Sequence, residues 1–250
     1  MVIGDETWGA FRDRINRWRD DPATFVLDMF GVEPDLWQAD VLRAFVIHPR
    51  IAMRACAGPG KTTVLAWLGW HFLVCYGDPD DHPRGVALSV SADNLRDNLW
   101  AELAKWLQRA PLLQTLFTWQ KERIYAKSHP ETWFIAARGF AKAANPEEQG
   151  RALSGMHSQY IIYLIDESGD LNPAVLRAAE QGLSNCTVGR IVQAGNPTSR
   201  NGMLYWAASR EGWHNISVTG DPDDPRRSPR VDIGWATEQI ATYGPENPWV

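Results

Sequence analysis

The sequence predicts an α/β fold with a mainly parallel central sheet flanked by helices, and three observations carry that expectation. Short apolar runs suited to covered strands alternate with longer segments suited to helices. One such run, Ile51-Ala-Met53, breaks directly into the glycine-bearing stretch Arg54-Ala-Cys-Ala-Gly58-Pro-Gly60-Lys61-Thr62-Thr63 and then into a helix-forming segment. Another, Tyr160-Ile-Ile-Tyr-Leu164-Ile165, ends on the adjacent carboxylates Asp166 and Glu167. A run of continuous apolar residues, rather than an alternating one, suits a strand of a parallel sheet with both faces buried.

Taken in order, the first fifty residues read as helical, with a break at Pro34 and a cap at Asp35 before Leu36-Trp-Gln-Ala-Asp-Val-Leu-Arg-Ala-Phe45. A strand over 51–54 leads into a helix from Lys61; its apolar stretch 64–76 is too short to span a bilayer and reads as buried. A strand over 85–90 precedes a helix whose Leu95, Leu99, Leu103, Trp106 and Leu107 share one face, a core stripe rather than a base-stacking platform. Runs at 123–126 and 132–136 bracket Ser128-His-Pro-Glu131 and predict a hairpin. Strands over 161–165 and 190–194 follow, then a short apolar run at 215–218. The Pro- and charge-rich stretch 220–230 reads as a loop or linker, with one amphipathic helix around 235–243. These divisions predict one α/β domain over 1–219, including the N-terminal helical segment, and a small lid or linker segment over 220–250.

Composition narrows the class. With 250 residues, 44% hydrophobic and 22% charged, the chain can bury one substantial core. Cys56, Cys75 and Cys186 have neither metal-ligand spacing nor a disulfide framework, which fits a reducing compartment. The first residues, with Asp5, Glu6 and Arg12, are not a signal peptide, and no membrane partner is expected. A net charge of −5 neither advertises nor excludes nucleic acid, because a local basic patch can act within an acidic surface.

The chemistry concentrates at two places. Glycines at 58 and 60 let the backbone curl so that several N–H groups face an anion, and the helix that follows adds its dipole. Ala57, Gly58, Pro59, Gly60, Lys61, Thr62 and Thr63 are therefore the candidate triphosphate cradle: Lys61 would reach the β- and γ-phosphates, and the Thr62 hydroxyl would hold magnesium. The full pattern G-x-x-x-x-G-K-[ST] lacks its first glycine, since Ala55 stands there. Asp166, at a strand's carboxyl end, suits positioning of Mg2+, and Glu167 suits accepting a proton from the attacking water. Each element alone has an ordinary reading, a glycine turn or a solvated strand end. Their joint occurrence in this order points to a nucleoside triphosphate and Mg2+ as ligands; the family resemblance below makes the nucleotide ATP.

With these pieces placed, the chain resembles the ATPase half of the large terminase subunits of tailed bacteriophages, from about Phe30 onward. Leu36-Trp37-Gln38 with Leu42 looks like the family's adenine-recognition segment, which makes Trp37 and Gln38 nucleotide-binding candidates; read by itself, Gln38 is equally a solvated helix glutamine. Ala57-Gly-Pro-Gly-Lys-Thr62 matches the family's variable Walker A loop. Arg138-Gly-Phe, Asn145-Pro-Glu-Glu and Ala152-Leu-Ser-Gly-Met-His157 lead into the Walker B run as in the family. Gln193-Ala-Gly195-Asn196-Pro197-Thr198 followed by Gly202-Met-Leu-Tyr205 looks like its coupling motif, with Asn196 as γ-phosphate sensor; alone, Asn-Pro is a plain turn.

The resemblance implies a P-loop NTPase fold of the ASCE type, and ATP hydrolysis that drives double-stranded DNA into a preformed capsid. It also implies a homo-oligomeric ring, expected to be a pentamer, that meets a portal protein and a small terminase subunit in the host bacterial cytoplasm, with the isolated chain a monomer. In the family a metal-dependent nuclease follows, and none is expected within this chain. Two departures stand out. Many members carry an arginine inside the loop, where this chain has Ala57; Arg54, just before the glycines, is either a phosphate sensor or an ordinary strand-end cation. The intersubunit arginine's usual place holds Ser154, which leaves Arg151, with Arg138 as the alternative, as the arginine acting in trans. Another nucleic-acid-dependent ATPase, helicase-like or defensive, is the competing reading.

Overall fold

The computed structural model describes residues 8–139, 145, 150, 153 and 155–245. Three helices come first: α1 (Trp8–Asp20), α2 (Pro22–Phe30) and α3 (Leu36–Ile47). Local chemistry sets their ends. The Asp21 side chain accepts from the N–H groups of Ala23 and Thr24, Pro22 opens α2, and Gly31 closes it at φ 66°. Strand β1 (Arg50–Ala55) runs into α4 (Lys61–Cys75), which is apolar on every side and buried along nearly its whole length. Then come β2 (Arg84–Leu88), α5 (Ala92–Leu95), a π-helical turn (Arg96–Trp100), α6 (Ala101–Arg109) and α7 (Pro111–Leu116).

The strands β3 (Phe117–Trp119), β4 (Arg123–Ala126), β5 (Phe134–Arg138) and β6 (Tyr160–Ile165) follow. A 3-10 turn (Ser168–Asp170), α8 (Pro173–Gly182), β7 (Val188–Gly195), α9 (Met203–Ala208), β8 (His214–Val218) and α10 (Ile233–Tyr243) complete the described elements.

All eight strands form one sheet in the order β3-β4-β5-β2-β6-β7-β1-β8. The six from β5 to β8 are mutually parallel, and β3 and β4 add an antiparallel edge. The glycine-loop strand β1 and the Asp166 strand β6 are not neighbours, because β7 lies between them. That inserted strand is the topology expected of the ASCE type. It also opens a crevice at the carboxyl edge, where ligands collect in such sheets.

Side chains alternate between two cores as a pleated sheet requires. Ile51, Met53, Ile162, Leu164 and Val192 face the layer of α1 to α4 and α6. Ala52, Ile161, Tyr163, Ile165 and Ile191 face α8 and α9. No helix among the described residues is long and apolar enough to cross a membrane.

Several expectations shift at their edges. The 85–90 strand ends at Leu88, the second hairpin strand starts at Phe134, and 190–194 widens to Val188–Gly195. The leucine-stripe helix is interrupted by the π-helical turn. Leucines spaced by four drift around a 3.6-residue helix, and a wider turn keeps Leu95, Leu99 and Leu103 on one buried face. Strand β3, only three residues long, carried too little pattern to be anticipated.

Candidate active site

The carboxyl ends of β1, β6 and β7 deliver the three parts of one cleft. From β1, the chain passes through Cys56, whose N–H donates to Val218 O at 3.0 Å, and then turns through Gly58 (φ 76°) and Gly60 (φ 97°). Those left-handed conformations suit glycine. Helix α4 then begins, and its first N–H groups lack partners within the helix, which is the donor set an anion needs. A cleft of about 320 Å3 opens there, lined by Ala57, Gly58, Lys61, Glu167, Asp170 and Asn196 among others. Pro59 is buried beneath the loop.

Lys61 is buried in the cleft, where its Nζ donates to Cys56 O at 3.1 Å and to Asn196 Oδ1. Burial holds its pKa below the usual lysine value, against the opposing pull of Glu167 and Asp166. The Thr62 hydroxyl donates to Asp166 Oδ2 at 2.9 Å, and Asp166 Oδ1 accepts from Glu167 N at 3.1 Å. Asp166 is fully buried; burial first and the Glu167 charge second push its pKa up to about 6. Thr62 and Asp166 therefore present oxygens to one point, the arrangement a magnesium ion would require. No group of three His, Cys, Asp or Glu side chains among the described residues is placed to hold a metal alone.

Glu167 sits in the left-handed region (φ 52°), the one non-glycine residue there among the described residues, and lines the cleft half-exposed. Such backbone persists where its surroundings hold it. Asn196 is buried beside Lys61, and its Nδ2 has no partner. A plain solvated turn does not account for it.

The other candidates fall in different places. The Thr63 hydroxyl turns away and donates to Glu102 Oε1 in α6 at 2.7 Å, so only its backbone N–H faces the loop side. Arg54 donates to Ser217 Oγ at 2.9 Å and lines a separate cavity with Arg200 and Tyr205, on the sheet face opposite α4. Its Nε is buried without a partner. Gln38 is fully buried, against the solvated alternative: its Oε1 accepts from Asp35 N at 3.0 Å and its Nε2 is buried without a partner. Trp37 is buried and lines a groove of about 1080 Å3 between α3 and the segment after β8.

Arg138 is exposed at the end of β5, in register with Leu88, which in turn pairs with Ile165. Two strand spacings, about 10 Å, thus separate it from the end of β6. Arg151 and most of the 140–154 motif lie outside the described residues.

Sequence reasoning did not find Gly169 and Asp170, which also line the cleft together with Thr198 of the 193–198 run. A glycine and an aspartate in a turn carry no signature of their own. Only the fold brings them to Lys61.

Strand order, glycine loop and paired carboxylates define a P-loop NTPase fold of the ASCE type. Within that class, the likeness is to the phage large terminases. The chain is 21% identical over 252 residues to the "Probable terminase, large subunit" of Enterobacteria phage P7, covering 91% of this chain and 47% of that protein. The ATPase domain of the Thermus phage P74-26 large terminase superposes with a TM-score of 0.66 at 14% identity, covering 90% of this chain and 94% of that one. The HK97 bacteriophage large terminase gives 0.62 at 14% identity over 90% of this chain and 51% of that one. The large terminase of bacteriophage D6E in complex with ADP gives 0.52 at 12% identity, over 74% and 45%.

No family model matches the chain. At these identities the structural likeness is one of fold, and it is the fold of a large terminase ATPase domain. The chain spans about half the length of the curated relative it matches.

Proposed function

We propose that this chain is the ATP-hydrolysing motor domain of a phage large terminase, which powers movement of double-stranded DNA into a procapsid. One observation carries the reading: Lys61, Thr62, Asp166, Glu167 and Asn196, drawn from three strand ends, converge on one cleft in the strand order of an ASCE ATPase. Lys61 and the first N–H groups of α4 hold the β- and γ-phosphates, and Thr62 with Asp166 holds Mg2+, which when bound neutralises charge on the phosphate oxygens. Glu167 orients the attacking water and takes its proton. Asn196, bonded to Lys61, moves with the γ-phosphate end of the site. Little else is required, since phosphoryl transfer rests on positioning and electrostatics.

The arginine completing the charge stabilisation comes from a neighbouring copy in a ring, with Arg151 as the candidate and Arg138, exposed at the end of β5, as the alternative. Double-stranded DNA, a portal protein and a small terminase subunit are the partners, in the host cytoplasm.

Isothermal titration and turnover of the purified chain test the chemistry. Lys61→Ala is expected to abolish turnover and weaken ATP binding. Glu167→Gln is expected to bind ATP and magnesium normally while hydrolysis falls at least ~100-fold. Normal hydrolysis by Glu167→Gln sinks the assignment. For the ring, activity should climb with protein concentration, and whichever of Arg151→Ala and Arg138→Ala removes the acting arginine should regain activity when mixed with Lys61→Ala, because the second subunit lends its arginine to the first's intact pocket. A dilute monomer already at full rate removes the intersubunit arginine.

A further inference from the structure

Gly60, the residue before Lys61, turns its bare face toward two polar groups from distant parts of the chain. A Cβ there would lie 3.0 Å from Gln38 Nε2, 3.4 Å from Arg230 Cδ and 3.6 Å from Arg230 Nε. The Gln38 amide is fully buried, its oxygen is occupied by Asp35 N–H, and its NH2 group has no partner. A buried donor without an acceptor is unfavourable in the free protein and is explained by a ligand that supplies one. Arg230 lies beside it. Its Nε donates to Asp35 Oδ2 at 2.6 Å, and its NH2 end reaches Asp35 Oδ1 at only 3.5 Å. The Arg230 side chain remains 42% exposed against 16% for Asp35. The arginine comes from the turns after β8, pinned where Ser228 N–H donates to Thr219 O at 3.0 Å and the Ser228 side chain is buried.

We propose that Arg230 is a nucleotide-contacting residue, supplied in cis by the segment that follows β8. A triphosphate at the loop carries several negative charges, against one on Asp35. The guanidinium, whose Nε lies 3.6 Å from where a Cβ on Gly60 would stand, leaves Asp35 and turns its planar fork onto phosphate oxygens at the α-phosphate end. Gln38 Nε2, on the same side of Gly60, donates to an acceptor on the base. Asp35 is thus a competitor that holds Arg230 until nucleotide arrives. The inference rests on the cleft being an ATPase site and adds to it a residue that no motif names.

The test is titration of fluorescent ATP with magnesium onto the whole chain, with unfolding followed in parallel. Arg230→Ala is expected to raise Kd about tenfold with an unchanged unfolding midpoint, and Arg230→Lys to recover part of the loss. Asp35→Asn keeps a residue able to cap α3 and removes the competing charge, so it should tighten binding about threefold. A purely structural ion pair predicts the opposite sign, with Asp35→Asn and Arg230→Ala weakening binding alike, and that result overturns the proposal. So does a Kd for Arg230→Ala within twofold of the parent while Lys61→Ala has lost binding. If Lys61→Ala binds as the parent does, the phosphate-loop reading itself has failed, and this inference fails with it.

Discussion

One wall of the cleft is the glycine loop with α4, and the other is formed by two facing turns, Ser168–Asp170 and residues 196–202. Behind the first stands a thick aromatic layer. Trp67 meets Trp106 edge-on at 5.2 Å, Trp106 meets Phe30 at 4.9 Å, Trp70 meets Phe117 at 5.6 Å, and His71 sits between Phe25 and Phe45. At the second, the turns themselves meet backbone against backbone. A Cβ added at Gly202 would overlap the Gly169 carbonyl oxygen, and one at Gly195 would lie 2.7 Å from Gly169 N. Ser168 Oγ donates to Ala194 O at 3.1 Å, Met203 N to Leu171 O at 2.7 Å, and Thr198 Oγ1 to Asp170 Oδ1 at 3.2 Å. Side chains can repack by changing rotamer, whereas backbone stacked on backbone moves as one piece. The cradle is therefore cushioned, while Glu167 and Asn196 are locked to each other.

The largest way to break this contrast is Gly202→Ala. Its methyl group must push the two turns apart, so stability should fall by about 2–3 kcal/mol, within the usual range for overpacking. Hydrolysis should fall with it, and ATP binding should hold better. Gly58→Ala on the cushioned wall meets no atom within 4 Å and suffers only from its φ of 76°, at about 1–2 kcal/mol. Urea unfolding of both variants decides it; a Gly202→Ala protein as stable and active as the parent removes the rigid wall.

A second effect belongs to the cushioned wall. Burial holds the His71 pKa down at about 4, and its Nε2 lies 2.8 Å from Trp18 O, where the neutral ring donates. Arg19 and Arg190 add to the depression, and Asp21 opposes it weakly. With the folded pKa below the unfolded value of about 6.5, the unfolded chain takes up the proton first. The stability this group contributes is present above pH 6.5 and is lost as pH falls toward 4, with about 2 kcal/mol gone by pH 5. His71→Phe should flatten the stability curve between pH 7 and 5 by that amount. Equal slopes for variant and parent sink the idea.

The same contrast explains what the sequence made legible. The first wall is written in consecutive residues: an apolar strand, glycines, a lysine, two threonines and a helix. Each step is a local propensity, and all were readable. Asp166 and Glu167 were readable because an apolar run stops on them. The second wall depends on Gly169, Gly195 and Gly202 meeting in space, and no local pattern tells a packing glycine from a turn glycine. Arg230 and Asp35 are 195 residues apart in the chain. The direction of Thr63 was hidden for the same reason, since Glu102 lies in a helix that only the fold places opposite it.

Thr63 gives a smaller test on the cushioned side. Glu102 also accepts from Trp106 Nε1 at 2.8 Å and Lys105 Nζ at 2.9 Å, so Thr63→Val removes one of several donors. A loss of about 1 kcal/mol is expected, with ATP affinity within twofold of the parent because the backbone N–H is untouched. Thr62→Val, one residue earlier, should instead lose the magnesium dependence of binding. If Thr63→Val impairs nucleotide binding as strongly as Thr62→Val, the division between structural and ligand-facing hydroxyls is wrong.

The smallest effect concerns Glu167 alone. A non-glycine residue in the left-handed region costs about 1–2 kcal/mol, which glycine does not incur. Glycine in turn gives up about 0.5–1 kcal/mol of chain entropy on folding. Glu167→Ala and Glu167→Gly both remove the carboxylate, so neither should hydrolyse ATP, and charge effects cancel between them. What differs is the backbone. If the locked wall forces φ 52° on whatever residue stands there, Glu167→Gly should be more stable than Glu167→Ala by about 0.5–1 kcal/mol in urea unfolding. If the turn instead follows the preference of the side chain, Glu167→Ala relaxes to ordinary backbone and becomes the more stable of the two. That order would show the second wall to be pliable, and the rigid link between Asn196 and the Glu167 carboxylate would go with it.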